Sequence, residues 1–434
     1  MTSWLAETLS VAVLVTVMIF ALVRPHGLPE ATTAVPGVLL LCLVGTISWS
    51  DAGHQVTTMG PTVIFLAAVL ALSELARAEG VFRYSGKLMA THARSSSNRL
   101  LLWVFIVASV TTAVLSLDAT IVLLTPIVLT TTRRLEARPE PHLYATAHLA
   151  NTASLLLPVS NLTNLLAVAA VPELTFGRFT AVMALPWLLS ISIEWLAMHI
   201  EFREELSGKI TAGVEKQQRA PITALIILGL TLAGFAVCSL LGTEPFWAAL
   251  GGVLALMVLS SVHHSGDFAV EAGRALRATK PLFLAFVLCL GIIRSVSGNH
   301  RRGRRRQRAG EPYRPSRPLR PDLAQPAGRR PIAALLSNLI NNLPAVMVLL
   351  PFVSPAGWVA VLAMLIGVNI GPNLSYAGSL ATLLWRRIIG DHDRPAHIGR
   401  FTRLSLLTVP ASILVSVCAV WAMSRLFGVE LRLM

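Results

Sequence analysis

The chain alternates between long apolar runs and short polar loops. About twenty consecutive apolar residues are needed for a helix to cross the hydrocarbon core of a bilayer. Eight such runs lie near residues 8–24, 34–50, 58–76, 179–200, 222–242, 246–262, 278–296 and 404–424. Two further stretches, 99–132 and 144–171, are apolar but interrupted by polar residues and proline. The pattern predicts an all-α polytopic membrane protein in which some helices stop at membrane depth.

Four polar islands interrupt the apolar sequence: VLSLDATIVLLTPIVL (114–129), NTASLLLPVSNLTNLL (151–166), LLSNLINNLPAVMVLLP (335–351) and NIGPNLSYAGSLATLLW (369–385). They form two matching pairs. In each half, a polar tip precedes an apolar arm with proline, and a break rich in Ser, Asn and Pro follows further along. We expect the first half to cross the membrane five times, so that the second half begins on the opposite side and is inverted. Secondary transporters built in this way bind their substrate near the midplane, where broken helices meet.

Each predicted repeat contains scaffold helices, a re-entrant hairpin and a broken transmembrane helix. The expected division is a first repeat at 1–200 with its hairpin at 99–132 and broken helix at 144–171, a cytoplasmic linker at 201–221, and a second repeat at 222–434 with its hairpin tip at 337–342 and broken helix at 357–390.

The polar islands supply the candidate substrate site. A helix that ends inside the membrane leaves backbone groups that need a ligand, water or side chain as partner. The candidate residues are Ser116, Asp118, Asn151, Ser160, Asn161, Asn164, Ser337, Asn338, Asn341, Asn342, Asn369, Asn373, Gly378 and Ser379. A carboxylate at membrane depth is costly and is typical of proton or ion transfer, so Asp118 is the predicted proton-coupling residue. The alternative is an N-cap for the arm at 119–129.

Other polar residues have a structural alternative as well. The asparagines of the second tip could serve only to satisfy hairpin backbone. Glu74 and Glu194 lie near predicted cytoplasmic ends of apolar runs, where pairing with Arg77 or Arg203 is favoured over a transport role.

Composition agrees with a membrane protein, since 54% of residues are hydrophobic and 13% are charged, with a mean hydropathy of +0.67. Outside the segment 297–330, Lys and Arg concentrate in alternate loops, which predicts an extracytoplasmic N-terminus. The first apolar run has no basic start and no clear cleavage site, so we expect a retained span. The four cysteines are scattered along the chain, and the sequence contains no recognisable catalytic motif. We therefore expect no metal site, no cofactor and no enzyme activity.

The segment 297–330 breaks the repeat where the first arm of the second hairpin should lie. It contains eleven Arg and five Pro, and neither residue suits a membrane arm. A basic loop and a patch for nucleic acid or anionic lipid are two interpretations. A nucleic-acid partner is not expected, because Tyr313 is the segment's only aromatic residue. The favoured hypothesis is a local shift of reading frame in a gene rich in G and C.

Four segments of the chain carry a family resemblance: LDATIVLLTPIVL, NTASLLLPVSNLTNLL, LSNLINNLPAVMVLL and GPNLSYAGSLATLLW. These segments resemble the ArsB-type arsenite efflux permeases of the ion transporter superfamily. The resemblance runs from about residue 8 to 425. It implies export of arsenite or antimonite across a prokaryotic inner membrane, driven by the proton gradient or the membrane potential. A soluble ATPase subunit helps some members, and a homodimer is left open.

Two further functions stay open at this point. The superfamily also contains sodium/proton antiporters and carriers of organic or inorganic anions. Alternatively, the chain is an inactive permease-like protein, because its second hairpin is disrupted.

Overall fold

The computed structural model describes residues 3–23, 28–29, 31–171, 173–211, 219–265, 267–289, 291–293, 333–334, 337–338, 341–375, 378–390 and 397–430. Within these ranges there is no β-strand, and one isolated bridge pairs Ser96 with Lys209. The all-α class predicted from the sequence is confirmed. The Arg- and Pro-rich segment 297–330 lies outside the described residues, as does part of the predicted linker at 201–221.

The helices are numbered here along the described chain. Helices α1 to α9 are Ser3–Val23, Ala31–Leu43, Trp49–Ala78, Val81–Ala93, Ser97–Val114, Leu117–Ala119, Thr125–Arg134, Glu140–Thr152 and Leu162–Ala170. Helices α10 to α18 are Phe176–Glu201, Arg203–Leu206, Ile222–Leu241, Phe246–Ser260, Phe268–Ala278, Asn342–Val353, Trp358–Ile370, Leu380–Gly390 and Ile398–Glu430.

Six described helices are long and apolar enough to cross a membrane, and a bent pair over 268–293 brings the number to seven. The six are α3, α5, α10, α12, α13 with its extension to His263, and α18. Their outer faces carry large apolar side chains such as Leu240, which is 87% exposed. Such surfaces suit lipid contact. The chain is therefore a multi-pass membrane protein.

The apolar run at 34–50 predicts a single span, and this is wrong. Helix α2 ends at Leu43, and Gly45 follows with a φ of 73°, a conformation that glycine adopts without steric cost. The Ser48 hydroxyl then accepts a hydrogen bond from the Asp51 amide at 2.9 Å and caps α3. The 13 residues of α2 extend about 20 Å, less than the roughly 30 Å of the hydrocarbon core.

The first polar tip interrupts a helix between α5 and α6. After Val114 the chain leaves the helix at Leu115 and Ser116, and α6, a wide turn at Thr120–Leu124 and α7 then follow. The hydroxyl groups of Thr112 and Thr120 lie 2.7 Å apart and join the two arms beside the tip. The second tip leads into α15, which the Asn341 side chain caps.

The two broken helices stand at matching places in the sequence. Helix α8 ends at Thr152, and tight turns at Ala153–Leu155 and Pro158–Ser160 separate it from α9. Helix α16 ends at Ile370, and a tight turn at Gly371–Leu374 precedes α17. Prolines at 158 and 372 explain these interruptions, because proline lacks the N–H group that a continuous helix needs. The inverted repeat itself stays a prediction.

Contacts within and between the predicted repeats hold the broken helices in place. Helix α10 packs along α18 of the second half, and α8 packs against α5 and α10 of its own half. The hydroxyl groups of Ser190 on α10 and Ser416 on α18 lie 2.5 Å apart inside this contact. Helix α3 packs on α13 at another contact between the halves.

Candidate functional site

Asparagines from the two breaks bind each other in the protein interior. The Asn151 amide nitrogen donates to the Asn373 carbonyl oxygen at 2.8 Å. The Asn369 amide nitrogen donates to the Asn164 carbonyl oxygen at 2.7 Å. In these two bonds, each break supplies an amide donor to the other. We call the set Asn151, Asn161, Asn164, Asn369 and Asn373 the amide network.

The Asn369 side chain has partners on both its polar atoms. Its carbonyl oxygen accepts from the Asn161 amide at 3.2 Å and from the Thr163 hydroxyl at 2.7 Å. The Asn161 amide also donates to the Ser154 hydroxyl oxygen at 3.4 Å, and Ser154 donates to the Asn151 backbone carbonyl at 2.7 Å. Ser154 therefore joins the two asparagine pairs into one hydrogen-bonded set.

Backbone groups released by the first break are bound by the same residues. Asn164 donates to the backbone carbonyls of Ser154 at 2.7 Å and Leu157 at 3.1 Å. Asn161 accepts from the Thr163 amide at 3.1 Å and so caps α9. Helix ends inside a membrane protein need such partners, because no water reaches them in hydrocarbon.

The network is buried and carries no cationic side chain. Asn151, Asn164, Asn369 and Asn373 are fully buried, and Asn161 is 4% exposed. One acceptor is left over, because the Asn151 carbonyl oxygen has no hydrogen-bond partner among the described residues. The arrangement offers several neutral donors and acceptors to a small hydroxylated molecule and offers no Lys or Arg to an anion.

A buried His–Glu pair adjoins the amide network. The Asn373 amide donates to the His148 backbone carbonyl and to the Thr152 hydroxyl oxygen, both at 3.0 Å. Thr152 donates to one carboxylate oxygen of Glu194 at 3.2 Å, and the other lies 3.0 Å from Nδ1 of His148. The side chains of His148 and Glu194 are both 0% exposed.

The sequence-based interpretation of Glu194 is therefore wrong. Glu194 lies inside α10 and faces His148, whereas pairing with Arg203 or snorkelling to the helix end was expected. Glu74 does pair with Arg77, as expected. The difference arises because α8 packs against the side of α10 that carries Glu194.

The residues of the first tip lie outside the amide network. The Ser116 hydroxyl accepts from the Ala119 amide at 3.2 Å, so Ser116 and not Asp118 provides the N-cap. Asp118 is partly exposed on α6. Its predicted role in proton coupling stays a prediction.

The second tip makes mainly local bonds. Ser337 and Asn338 donate to the backbone carbonyl of Ala334 at 2.8 Å and 2.9 Å. The Asn341 carbonyl oxygen accepts from the Asn342 amide at 2.7 Å, and Asn342 in turn accepts from the next amide. These bonds fit the alternative in which the asparagines satisfy hairpin backbone.

The remaining candidates connect or pack the breaks. Ser160 donates to the Ala113 carbonyl at 2.7 Å, which ties the first break to α5. Asn338 also donates to the Gly371 carbonyl, which ties the second tip to the second break. Ser379 lies 3.4 Å from the Asn151 amide and can accept from it. A side chain at Gly378 would collide with the Pro372 carbonyl and Asn338, so glycine serves close packing there.

Sequence reasoning missed four polar residues that bond directly to the amide network, His148, Thr152, Ser154 and Thr163. It also missed Glu194, which bonds to His148 and Thr152. Three of them stand within the quoted island at 151–166 and could have been chosen by the same criterion as its asparagines. The His–Glu pair gave no such signal, since its members are far apart in the sequence. Among the described residues no three His, Cys, Asp or Glu side chains cluster as metal ligands.

A family model described as arsenical pump membrane protein, ArsB, matches residues 9–422. The chain belongs to the ArsB family. The family resemblance predicted from the polar islands is confirmed, and the chain is a membrane transporter of this family.

Relatives of this ArsB-family chain match along nearly its whole length. An arsenical pump membrane protein of Escherichia coli (strain K12) is 25% identical over 426 residues, which cover 94% of this chain and 97% of the relative. A putative arsenical pump membrane protein of Bacillus subtilis (strain 168) is 24% identical, with 94% and 98% covered. An uncharacterized transporter of Mycobacterium tuberculosis is 23% identical, with 95% and 97% covered.

The fold also resembles a solved structure. The crystal structure of the Alcanivorax borkumensis YdaH transporter, which has an unusual topology, aligns with a TM-score of 0.55 at 16% identity. The alignment covers 88% of each chain. At this identity the likeness concerns the fold alone.

Proposed function

We propose that this chain is a secondary active transporter that exports arsenite or antimonite across the inner membrane of a prokaryotic cell. Family membership supports the substrate class, since the relatives in Escherichia coli and Bacillus subtilis carry arsenical pump names. The proton gradient or the membrane potential drives export, and a soluble ATPase subunit is an optional partner.

The amide network is the observation that carries the proposal. Arsenite near neutral pH is chiefly the uncharged trihydroxide, which has hydroxyl groups to donate and oxygen atoms to accept. Buried amides and hydroxyls can exchange their mutual bonds for bonds to these groups without burying a charge. A dianionic substrate would call for compensating donors or cations, and the network contains no Lys or Arg.

The test is the arsenite content of arsenic-sensitive cells with and without the chain. Cells that express it should hold less arsenite and should grow at higher arsenite or antimonite concentrations. Equal arsenite content at equal membrane expression would refute the proposal. Sodium-dependent proton movement in vesicles would then favour an antiporter, and no transport of either kind would favour an inactive permease-like protein.

A further inference from the structure

We propose that His148 and Glu194 form the proton-carrying pair of this transporter, with Thr152 as the link to the substrate site. The inference rests on the proposed export function and names the side chains that couple export to the proton gradient. In this scheme a proton enters the pair from the outer water and leaves to the inner water, while the uncharged trihydroxide moves outward.

Burial makes the net charge of the pair important. Neither side chain is exposed, and 3.0 Å separates His148 Nδ1 from the Glu194 carboxylate oxygen. With one proton shared between them the pair is neutral overall, whether as imidazolium and carboxylate or as imidazole and carboxylic acid. Without that proton a single negative charge is buried, which is strongly unfavourable unless donors compensate for it.

Glu194 lies at a depth within α10 that suits a proton-transfer step. It precedes the end of α10 at Glu201 by seven positions, which corresponds to about 10 Å along a helix. Carboxylates inside a transmembrane segment are rare outside ion and proton pathways. Nε2 of His148 is buried without a hydrogen-bond partner among the described residues, so the ring has a second nitrogen free to receive or release a proton.

Thr152 gives the pair a physical connection to the amide network. Its hydroxyl donates to Glu194 and accepts from the Asn373 amide. A hydroxyl has one proton to donate. When the facing oxygen of Glu194 carries a proton, that oxygen becomes a donor to Thr152, and the threonine proton must find another acceptor. Protonation thus changes the donors and acceptors that meet Asn373, which is where substrate hydroxyl groups would bind.

The surrounding helices contain other titratable and charged groups. On α6, α8, α10, α17 and α18 they include Asp118, Tyr144, His199, Glu201, Arg386, Arg400 and Arg403. Glu201 forms ion pairs with Arg400 and Arg403 of α18, and the Tyr144 hydroxyl donates to the His397 carbonyl at 3.2 Å. Within the described residues, His148 is the titratable side chain that contacts the Glu194 carboxylate.

Radiolabelled arsenite in everted membrane vesicles tests the pair. Wild-type vesicles should accumulate arsenite when a proton gradient is imposed and should also exchange labelled for unlabelled arsenite without a gradient. Glu194→Gln should lose at least 90% of gradient-driven accumulation and keep at least half of the exchange. Its exchange should no longer vary with pH.

Glu271→Gln is the matched control. Glu271 is a fully buried carboxylate that accepts from Ser260 at 3.0 Å and Arg274 at 2.6 Å, on α14 and away from the amide network. This variant should keep gradient-driven accumulation. If Glu194→Gln accumulates arsenite as the wild type does, the pair does not carry the proton and the inference fails.

A second measurement separates coupling from folding. Arsenite added to purified transporter in weakly buffered detergent should release protons from the wild type and from Glu271→Gln, but not from Glu194→Gln. Loss of accumulation, exchange and proton release together in Glu194→Gln and His148→Gln would assign the pair to folding and overturn the inference. If the wild type neither accumulates nor exchanges arsenite, the proposed function itself has failed.

Discussion

The Asn373 side chain ties the second break to the first broken helix, α8. It accepts from Asn151 and donates to the His148 carbonyl and Thr152 hydroxyl. Alanine at this position would remove an acceptor from the Asn151 amide and a donor from the His148 carbonyl and the Thr152 hydroxyl, all of them buried. Each such group costs about 1–3 kcal/mol when unsatisfied.

Asn373→Ala should therefore lower the free energy of unfolding by about 1–3 kcal/mol and slow arsenite export at least tenfold. Chemical denaturation in detergent and cellular arsenite content measure the two effects. Ser192→Ala is the control, because Ser192 is exposed on α10 and its hydroxyl donates to the Leu188 carbonyl of the same helix at 2.9 Å. Equal effects from both variants would contradict the role given to Asn373.

At the scale of elements, the second break and second tip fit together closely. A Cβ atom added to Gly371 would lie 2.7 Å from both the Ala334 Cα and the Ser337 hydroxyl oxygen. Backbone cannot move away as easily as a flexible side chain can, so this contact depends on glycine. Gly390 at the end of α17 has nothing within 4 Å of the same added atom.

Gly371→Ala should push the tip away from the break and lower both thermal stability and export. Gly390→Ala should leave both unchanged or raise stability slightly, since alanine favours helix. Melting temperature in detergent and the arsenite content of cells give the comparison. If Gly371→Ala changed neither the melting temperature nor arsenite export, the tip and the break would be able to separate without loss of function.

Element positions followed from the sequence where proline and asparagine interrupt apolar runs, as at Pro158 and Pro372. Partners across the molecule did not follow. The hydrogen bonds of Asn151 to Asn373 and of His148 to Glu194 depend on which helix faces pack together, which one sequence does not reveal. The boundary at Leu43 was missed for a different reason, because an apolar turn such as Val44–Ile47 has the hydropathy of a span.

For the whole molecule, the distribution of Lys and Arg predicts the orientation. The loop after α10 carries Arg203 and Lys209 and should face the cytoplasm. Green fluorescent protein fused after residue 211 should therefore fluoresce, and alkaline phosphatase fused there should be inactive. The reverse pair of results would place the N-terminus in the cytoplasm and overturn the predicted orientation.

The gene offers a test of the segment 297–330. If a local frame shift produced its Arg- and Pro-rich composition, one of the two other frames should encode an apolar arm over this interval. Conceptual translation of the nucleotide sequence is sufficient to decide. If neither frame gives an apolar arm, the segment is a genuine basic insertion and the frame hypothesis is wrong.

The mutual bonds of the amide network also bear on the transport cycle. A carrier must return without its cargo before it can load again, and an empty polar site at membrane depth would oppose that return. Here the asparagines of the two breaks hydrogen-bond to one another, so almost all of these groups are already bonded when no substrate is present. Under the proposed function, arsenite would have to replace the protein's own amides as hydrogen-bond partners, so its binding should be weaker than the number of donors and acceptors alone suggests.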